Sequence, residues 1–162
     1  MKKWIWPVAV GVIVVVAIRL TRRGSSEGDI RWLIEDAQTA ALDGMNRGSP
    51  NVLDTYFATV KEGAQENGLT ETQGAYKNFV TQMSGGSVQI HSFKIEAIEV
   101  YEEAGLARVT YQLHLSVIRG GSAVFTVRFT QDLAVLRTPR GWRISGGDTP
   151  QIQETTGVWP PR

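Results

Sequence analysis

Few side chains in this 162-residue sequence are candidates for acid–base catalysis, and their positions in the sequence do not place two of them together in one site. Histidine occurs only at His91 and His114. A general acid–base site needs two titratable groups that are held close together with displaced pKa values. His114 and Asp132 alternate with apolar neighbours, which places both on the polar side of predicted strands. His91 lies where the alternation is irregular, so its side is left open. We therefore predict no catalytic pair and expect that the protein is not an enzyme.

The apolar side of the same strands carries two polar groups, Tyr111 and Gln131. A tyrosine among aromatic neighbours is more often a core residue with its hydroxyl at the rim than a catalytic acid. Gln131 would then be a hydrogen-bonded core group, or it would mark the mouth of a cavity. The second interpretation predicts a pocket for a small apolar ligand, lined by Tyr111, Gln131, Phe129 and Trp142.

The sequence offers no familiar ligand set for a metal ion or a cofactor. No carboxylate stands at ligand spacing from His91 or His114, and there is no His-Glu-x-x-His motif or Asp-rich loop. Cysteine is absent, which excludes thiolate zinc sites and disulfides. The glycine pairs at 85–86, 120–121 and 146–147 are typical of turns, because none opens a helix as a phosphate loop does. We predict neither a metal nor a cofactor.

The elements that would position these side chains follow from the apolar periodicity. Alternating apolar and polar residues over 106–144 predict antiparallel strands with one buried and one solvated side. A bent first strand is expected over 88–101, where the alternation changes phase. Ahead of it, helical spacing predicts three helices, which begin behind Asp29, at Pro50 and behind Thr70. This order predicts an α+β fold with three helices packed on a curved four-stranded antiparallel sheet.

The solvated side of the sheet could dock a partner. It is rich in Thr, Gln and Arg, and its alternative role is that of an ordinary solvated sheet face. If it is an interface, the occupant is another protein or a second copy of the chain. The predicted partner face consists of Arg108, Thr110, Gln112, His114, Arg128 and Thr130.

The N-terminal segment predicts a membrane anchor. Residues 4–18 are uncharged, and a 17-residue apolar run to Leu20 would span about 25 Å as a helix. Basic residues stand on both sides of the run, so the side of the membrane on which the rest of the chain lies stays open. We expect a single-pass transmembrane helix over 1–23 and a flexible linker over 24–28. The alternative is a signal peptide that is cleaved after the run.

Charge argues against a nucleic-acid partner. The net charge is +1, but five of the 17 basic residues precede residue 24, and the other 12 face 16 acidic residues. The remainder is therefore mildly acidic at −4, without the basic patch that phosphate binding requires.

The end of the chain, residues 149–162, is polar and lacks a core pattern, so we expect an extended tail. Trp159 stands beside two prolines and could anchor the tail on a partner. The alternatives are that Trp159 folds back onto its own domain or that the tail is disordered.

The chain resembles the NTF2-like superfamily of cone-shaped α+β domains over residues 29–148. The resemblance lies in the helix at 29–45 that is broken at 46–50, in the bent strand after the third helix, and in the closing Arg-Gly-Trp-Arg-Ile segment at 140–144. A membrane-anchored domain of this kind also looks like the small C-terminal domain of plastid and cyanobacterial division proteins. The resemblance implies a fold, because the superfamily contains both enzymes and structural adaptors.

We therefore expect a non-catalytic, membrane-anchored NTF2-like scaffold that binds a protein partner or itself. The alternative is a small apolar-ligand binding domain or an enzyme like ketosteroid isomerase or the SnoaL polyketide cyclases. It would use the cone pocket at Tyr111 and Gln131. A cone that is filled by aromatic side chains would favour the scaffold, and a deep solvent-reached cavity would favour the alternative.

Overall fold

A computed structural model describes residues 25–83 and 85–159. This part of the chain contains two α-helices and five β-strands. The helices are α1 (Ser26–Arg47) and α2 (Glu66–Gln82). The strands are β1 (Ser87–Tyr101), β2 (Leu106–Arg119), β3 (Ser122–Thr138), β4 (Gly141–Gly147) and β5 (Gln151–Gly157). Single 3-10 turns occupy Asp54–Tyr56, Val60–Glu62 and Glu102–Ala104.

The start of α1 is set by its cap. Ser25 has an extended backbone, and its hydroxyl accepts a hydrogen bond from the Gly28 amide at 3.1 Å. The helix therefore begins within the stretch 24–28, for which the composition predicts a linker. The predicted membrane anchor, residues 1–23, lies outside the described residues. Neither of the two helices described here has the length and apolarity that crossing a membrane demands.

The sheet is antiparallel, with the order β1-β2-β3-β4, and β5 pairs with β3. The two C-terminal strands share one edge of β3. β4 pairs with residues 133–138 of β3, and β5 continues along residues 125–130. β1 contains two register shifts against β2, one between Ile90 and Ser92 and one between Ile95 and Ala97. These bulges bend the strand and curve the sheet.

The predicted second helix is wrong. Only Asp54–Tyr56 makes a 3-10 turn, and Phe57 then adopts an extended backbone with φ −90° and ψ 144°. Phe57 forms a bridge to Ile144 of β4, and the Ala58 amide donates to the Ile144 carbonyl at 2.8 Å. The edge of β4 therefore captures this backbone before a second helical turn can form, so the count of three helices is corrected to two.

The predicted four-stranded sheet is also wrong, because Gln151–Gly157 forms a fifth strand. All seven residues of β5 are exposed, so no apolar pattern marks the strand in the sequence. The position of β5 is set by the open edge of β3, because β5 forms hydrogen bonds with backbone groups that would otherwise be unpaired there.

Both helices pack on one side of the sheet, here called the inner face. A first core cluster joins α1 to β2, β3 and β4 through Leu33, Val109 and Val135. A second cluster lies beyond the end of α2 and contains Met83, Val117 and Val127. Both clusters belong to the inner face, and no described helix contributes a core side chain to the opposite side, the outer face.

Candidate functional site

The outer face carries a network of cross-strand hydrogen bonds at its centre. The Gln112 amide donates to Gln153 at 3.0 Å, and Gln153 donates to the Thr130 hydroxyl at 2.7 Å. Because Gln153 lies on β5, the C-terminal strand is part of the same surface as the predicted partner-face residues Gln112 and Thr130. Gln153 was not among the predicted partner-face residues, because the segment 149–162 lacks a core pattern and was expected to be an extended tail.

One end of the outer face is an ion-pair cluster. The Arg108 guanidinium donates to the Asp132 carboxylate, with Nε at 3.0 Å, and Thr110 donates to the same carboxylate at 2.6 Å. The Thr110 hydrogen bond, together with Arg108, lowers the pKa of Asp132. The hydrogen bond to Asp132 raises the pKa of Arg108 in turn. A second carboxylate, that of Asp148, lies 3.8 Å from Arg108. Arg108 and Thr110, two of the predicted partner-face residues, therefore both bind the Asp132 carboxylate. Asp132 itself was not among the predicted partner-face residues.

The other end of the outer face brings the two histidines together. The ring centres of His91 and His114 are 4.6 Å apart, with a tilt of 42°. His91 Nε2 lies 2.7 Å from Ser116 Oγ, which lies 2.7 Å from Thr126 Oγ1. Ser116 is only 3% exposed, beneath this contact. The first bulge of β1 turns His91 toward His114, and the irregular alternation at that point was the only signal in the sequence.

Charges next to the histidines come from the neighbouring strands. Arg128 of β3 stands opposite His114 in the register, and Glu154 of β5 stands opposite Arg128. The Arg128 guanidinium lies 3.7 Å from the Glu154 carboxylate. All six predicted partner-face residues therefore lie on the outer face, in two clusters and a polar centre.

The contact of His91 with Ser116 does not form a nucleophilic site. A catalytic serine must be open to its substrate and needs a base that a third group orients. Ser116 is buried, its hydroxyl is shared with Thr126, and no described carboxylate contacts His91. The arrangement instead orients the His91 ring.

Three of the four predicted pocket residues meet on the inner face. Tyr111 donates to Gln131 Oε1 at 2.6 Å, and Gln131 Nε2 donates to the Asp148 carbonyl at 2.7 Å. Phe93 and Phe129 flank the Tyr111 ring, with centres at 5.6 and 6.1 Å. Burial raises the pKa of Tyr111 above its ordinary value. Tyr111 thus holds Gln131, and Gln131 holds the backbone at Asp148 in the connection between β4 and β5.

Trp142, the fourth predicted pocket residue, lies elsewhere. It pairs with Arg137, six positions along β3 from Gln131 and thus about 20 Å away. Trp142 is buried in the first core cluster, and the Arg137 guanidinium lies 4.7 Å from the ring centre. The four residues do not line one cavity.

Trp159, the predicted tail anchor, contacts its own domain. Its ring stacks on Phe79 of α2 with centres 4.5 Å apart and lies 5.2 Å from Phe125 of β3. The stack closes the second core cluster at the end of β5.

An open cleft of about 680 Å³ lies between residues 63–71, at the start of α2, and the end of the sheet where β2 begins and β4 ends. Its floor is tight, because a methyl group added to Gly146 would lie 3.3 Å from the Gly68 Cα atom. Acidic and basic side chains meet at its rim, namely Glu71, Arg108, Asp132 and Asp148. The cleft is a second candidate site that no sequence pattern indicated.

Comparisons with known proteins support the fold but no activity. No protein-family model matches the chain, and a comparison with curated protein sequences finds no relative. The intermembrane space region of the chloroplast protein ARC6 is similar in structure, with 10% identity and a TM-score of 0.54. The match covers 75% of this chain and 92% of that chain. The Kfla4162 protein from Kribbella flavida is similar over 82% of this chain and 95% of that one, with 12% identity and a TM-score of 0.55.

An NTF2-like protein of unknown function from Shewanella oneidensis is also similar, with 20% identity and a TM-score of 0.46. That match covers 71% of this chain and 93% of the other. At such identities, structural likeness reports the fold and leaves function to the residues of the site. The chain shares its fold with the ARC6 region and with Kfla4162. Its order of elements, helices that precede a curved antiparallel sheet, is the order for which the sequence resembles NTF2-like domains.

Proposed function

We propose that this NTF2-like domain is a non-catalytic scaffold that is held at a membrane and binds a protein, either a partner or a second copy, through its outer face. The observation that carries the proposal is the outer face itself. It is a long polar surface whose central side chains are hydrogen-bonded to each other across strands, without a helix of the described chain upon it.

The size of the outer face suits a protein partner. β2 has 14 residues, and four strands lie side by side in its middle. With about 3.3 Å per residue and about 4.8 Å between strands, the surface measures roughly 900 Å². A stable protein–protein interface buries about 800 Å² on each partner. The outer face is therefore large enough for one interface of ordinary size.

The side chains of this face are partly ordered before a partner arrives. Arg108 and Thr110 are held on Asp132, and Gln112 is held through Gln153. Binding costs less side-chain entropy when the contacting groups are already fixed. The ion-pair end and the histidine end would also give the surface an orientation, because charge complementarity sets the register of an interface.

The inner face supports the non-catalytic part of the proposal. The hydroxyl of Tyr111 and the amide of Gln131 are engaged with each other and with the backbone, so neither is presented to a substrate. The rings of Phe93 and Phe129 contact the Tyr111 ring from two sides.

The tether is supported by the sequence of residues 1–23 alone, an apolar run between basic flanks. The ARC6 region, by its name, lies in an intermembrane space. That location is consistent with a domain of this fold working next to membranes.

The test places a photoreactive amino acid at Gln112, in the centre of the outer face, in the full-length protein in native membranes. The matched control places it at Thr39, an exposed position on α1. We expect a specific adduct from position 112 and none from position 39. An adduct with twice the mass of the chain identifies a second copy, and any other mass identifies a different partner.

Equal crosslinking from both positions, or none from either, would contradict the scaffold proposal. A variant with Thr130→Arg in the same background sharpens the result. A large cation in the centre of the polar network should abolish the adduct while leaving the fold intact, which circular dichroism can check.

A second candidate function is binding of a small molecule in the cleft between α2 and the sheet, and the observation that favours it is the volume of about 680 Å³. Ala134 is an exposed residue on the cleft wall, and Ala134→Trp would obstruct the cleft without disturbing the core. Native mass spectrometry of the purified protein should then show a bound small molecule in the natural chain and none in the variant.

A further inference from the structure

The fold brings together the chain's only two histidines, which are 23 residues apart in the sequence. His91 is exposed and His114 is half-buried, so solvent reaches both rings. Their nitrogens are not consumed by the contact. His91 uses Nε2 toward Ser116, and the His114 ring makes no hydrogen bond to another described residue. We propose that His91 and His114 form a two-imidazole site for a divalent transition metal ion, with copper(II) as the ion that fits best.

The separation of the rings fits one metal ion between them. A metal–nitrogen bond of about 2.0–2.1 Å places each imidazole centre roughly 3.2 Å from the metal. Two rings bound at a right angle are then about 4.5 Å apart, and two rings bound at the tetrahedral angle are about 5.2 Å apart. The observed distance is 4.6 Å. The distance between the ring centres thus agrees with adjacent corners of a tetragonal site, the geometry that copper(II) and nickel(II) prefer.

Copper(II) is preferred over nickel(II) by affinity, because it binds nitrogen ligands most tightly among the divalent first-row ions. The ion would enter from the solvent side, and water would occupy its remaining positions. No group of three or more His, Cys, Asp or Glu residues that could hold a metal occurs in residues 25–83 and 85–159. The site therefore has two protein ligands and is exchangeable, unlike a closed structural metal site.

Ser116 and Thr126 supply the support that a metal-binding histidine needs. A ligating imidazole usually donates its second N–H to a fixed acceptor, which sets the tautomer and the ring orientation. With Nε2–H donated to Ser116 Oγ, His91 keeps its Nδ1 lone pair for the metal. Ser116 is itself held by Thr126 and is buried, so this acceptor is rigid. Ser116 is a positioning residue in this site.

The charges around the histidines permit a cation. Arg128 is the cation opposite His114, and its charge is offset by Glu154 at 3.7 Å. Removing Arg128 should therefore tighten metal binding, whereas removing Glu154 should weaken it.

The experiment titrates copper(II) into the untagged full-length protein in detergent micelles after treatment with a chelator, and follows it by electron paramagnetic resonance. We expect one copper ion per chain, with hyperfine splitting from two nitrogens. The double variant His91→Gln/His114→Gln should lose this signal. Ser116→Ala should keep two nitrogens but bind about 10-fold more weakly. Thr39→Ala, an exposed and uncharged change on α1, is the control and should bind like the natural chain.

An unchanged titration in the double variant would overturn the proposal, and so would a one-nitrogen signal in the natural chain. A Ser116→Ala variant that binds with full affinity would remove Ser116 from the site. Circular dichroism of every variant confirms that lost binding does not come from unfolding. This outcome is independent of the photo-crosslinking test, because copper binding needs no protein partner.

Discussion

Two pairs of polar side chains, one on each face of the sheet, each join neighbouring strands but differ in how many of their hydrogen-bonding groups are occupied. On the inner face, Tyr111 and Gln131 satisfy each other, and Gln131 also holds the Asp148 carbonyl. On the outer face, His91 and His114 touch through their rings, while only one of their four nitrogens is engaged by a described residue. What distinguishes a binding group from a structural one here is the unused hydrogen-bonding or ligating capacity, and residue type alone does not show it.

The contrast between the two faces has a physical cause. A buried polar group without a partner is costly, so a filled core tolerates polar side chains only when they are paired with each other or with the backbone. The outer face pays no such penalty, because water satisfies what the protein does not. Side chains on the outer face can therefore keep donors, acceptors and lone pairs that no protein group uses until a partner or an ion binds.

The largest expected effect comes from the inner face. Trp142→Ala should lower the free energy of unfolding by about 3–5 kcal/mol, because it leaves a cavity in the first core cluster. Urea unfolding monitored by circular dichroism measures the change. The outer-face control Lys94→Ala should stay within about 0.5 kcal/mol of the natural chain. Comparable losses for both variants would break the distinction between the two faces.

A smaller effect tests the pairing on the inner face directly. Tyr111→Phe keeps the ring but leaves Gln131 Oε1 without its donor, so it should cost about 1–2 kcal/mol. Tyr101 offers the matched control, because its hydroxyl also donates to a side-chain oxygen, that of the Glu99 carboxylate at 3.0 Å, but at an exposed position. Tyr101→Phe should change the unfolding midpoint in urea little. If the two tyrosine variants behave alike, burial does not decide the value of the hydrogen bond.

The sequence predicted the inner face well, because alternation is a direct consequence of strand geometry. Val109, Val117 and Val135 are fully buried, as their spacing requires. His91 could not be placed in the same way. A bulge inserts one residue into the strand and moves every side chain beyond it to the other face, and only the partner strand shows where the insertion falls.

The elements that the sequence missed or misplaced depend on backbone pairing across long sequence separations. The segment at 50–57 has helical spacing, yet the edge of β4 captures it at Phe57. β5 carries no apolar pattern, and its position follows from the free edge of β3. The centre of the outer face shares this origin, since Gln153 and Glu154 reach it only once β5 has paired.

A pH-dependent effect tests the ion-pair end of the outer face. The pKa of Asp132 is lowered in the folded protein from an ordinary value of 3.8, so its contribution is complete above that value and is lost as the pH falls through the lowered pKa. At neutral pH, Asp132→Asn should cost less than about 1 kcal/mol, because Arg108 is half-exposed and well screened. The difference between the two proteins should shrink below pH 4. A gap that stays constant down to pH 2 would show that the carboxylate charge contributes nothing.

The smallest expected effect belongs to the histidine pair. His114→Gln removes a ring whose recorded side-chain partner is the His91 ring on a solvated face, so the free energy of unfolding should change by no more than about 0.5 kcal/mol. Urea unfolding without added metal measures this, and Gln112→Ala serves as a neighbouring outer-face variant. A loss above about 1 kcal/mol would mean that the ring contact is structural, as Tyr111 and Gln131 are. An unchanged free energy of unfolding together with loss of the two-nitrogen copper signal would show that His114 serves binding and not stability. The inner-face pair Tyr111 and Gln131 would then differ from the histidine pair in function as well as in position.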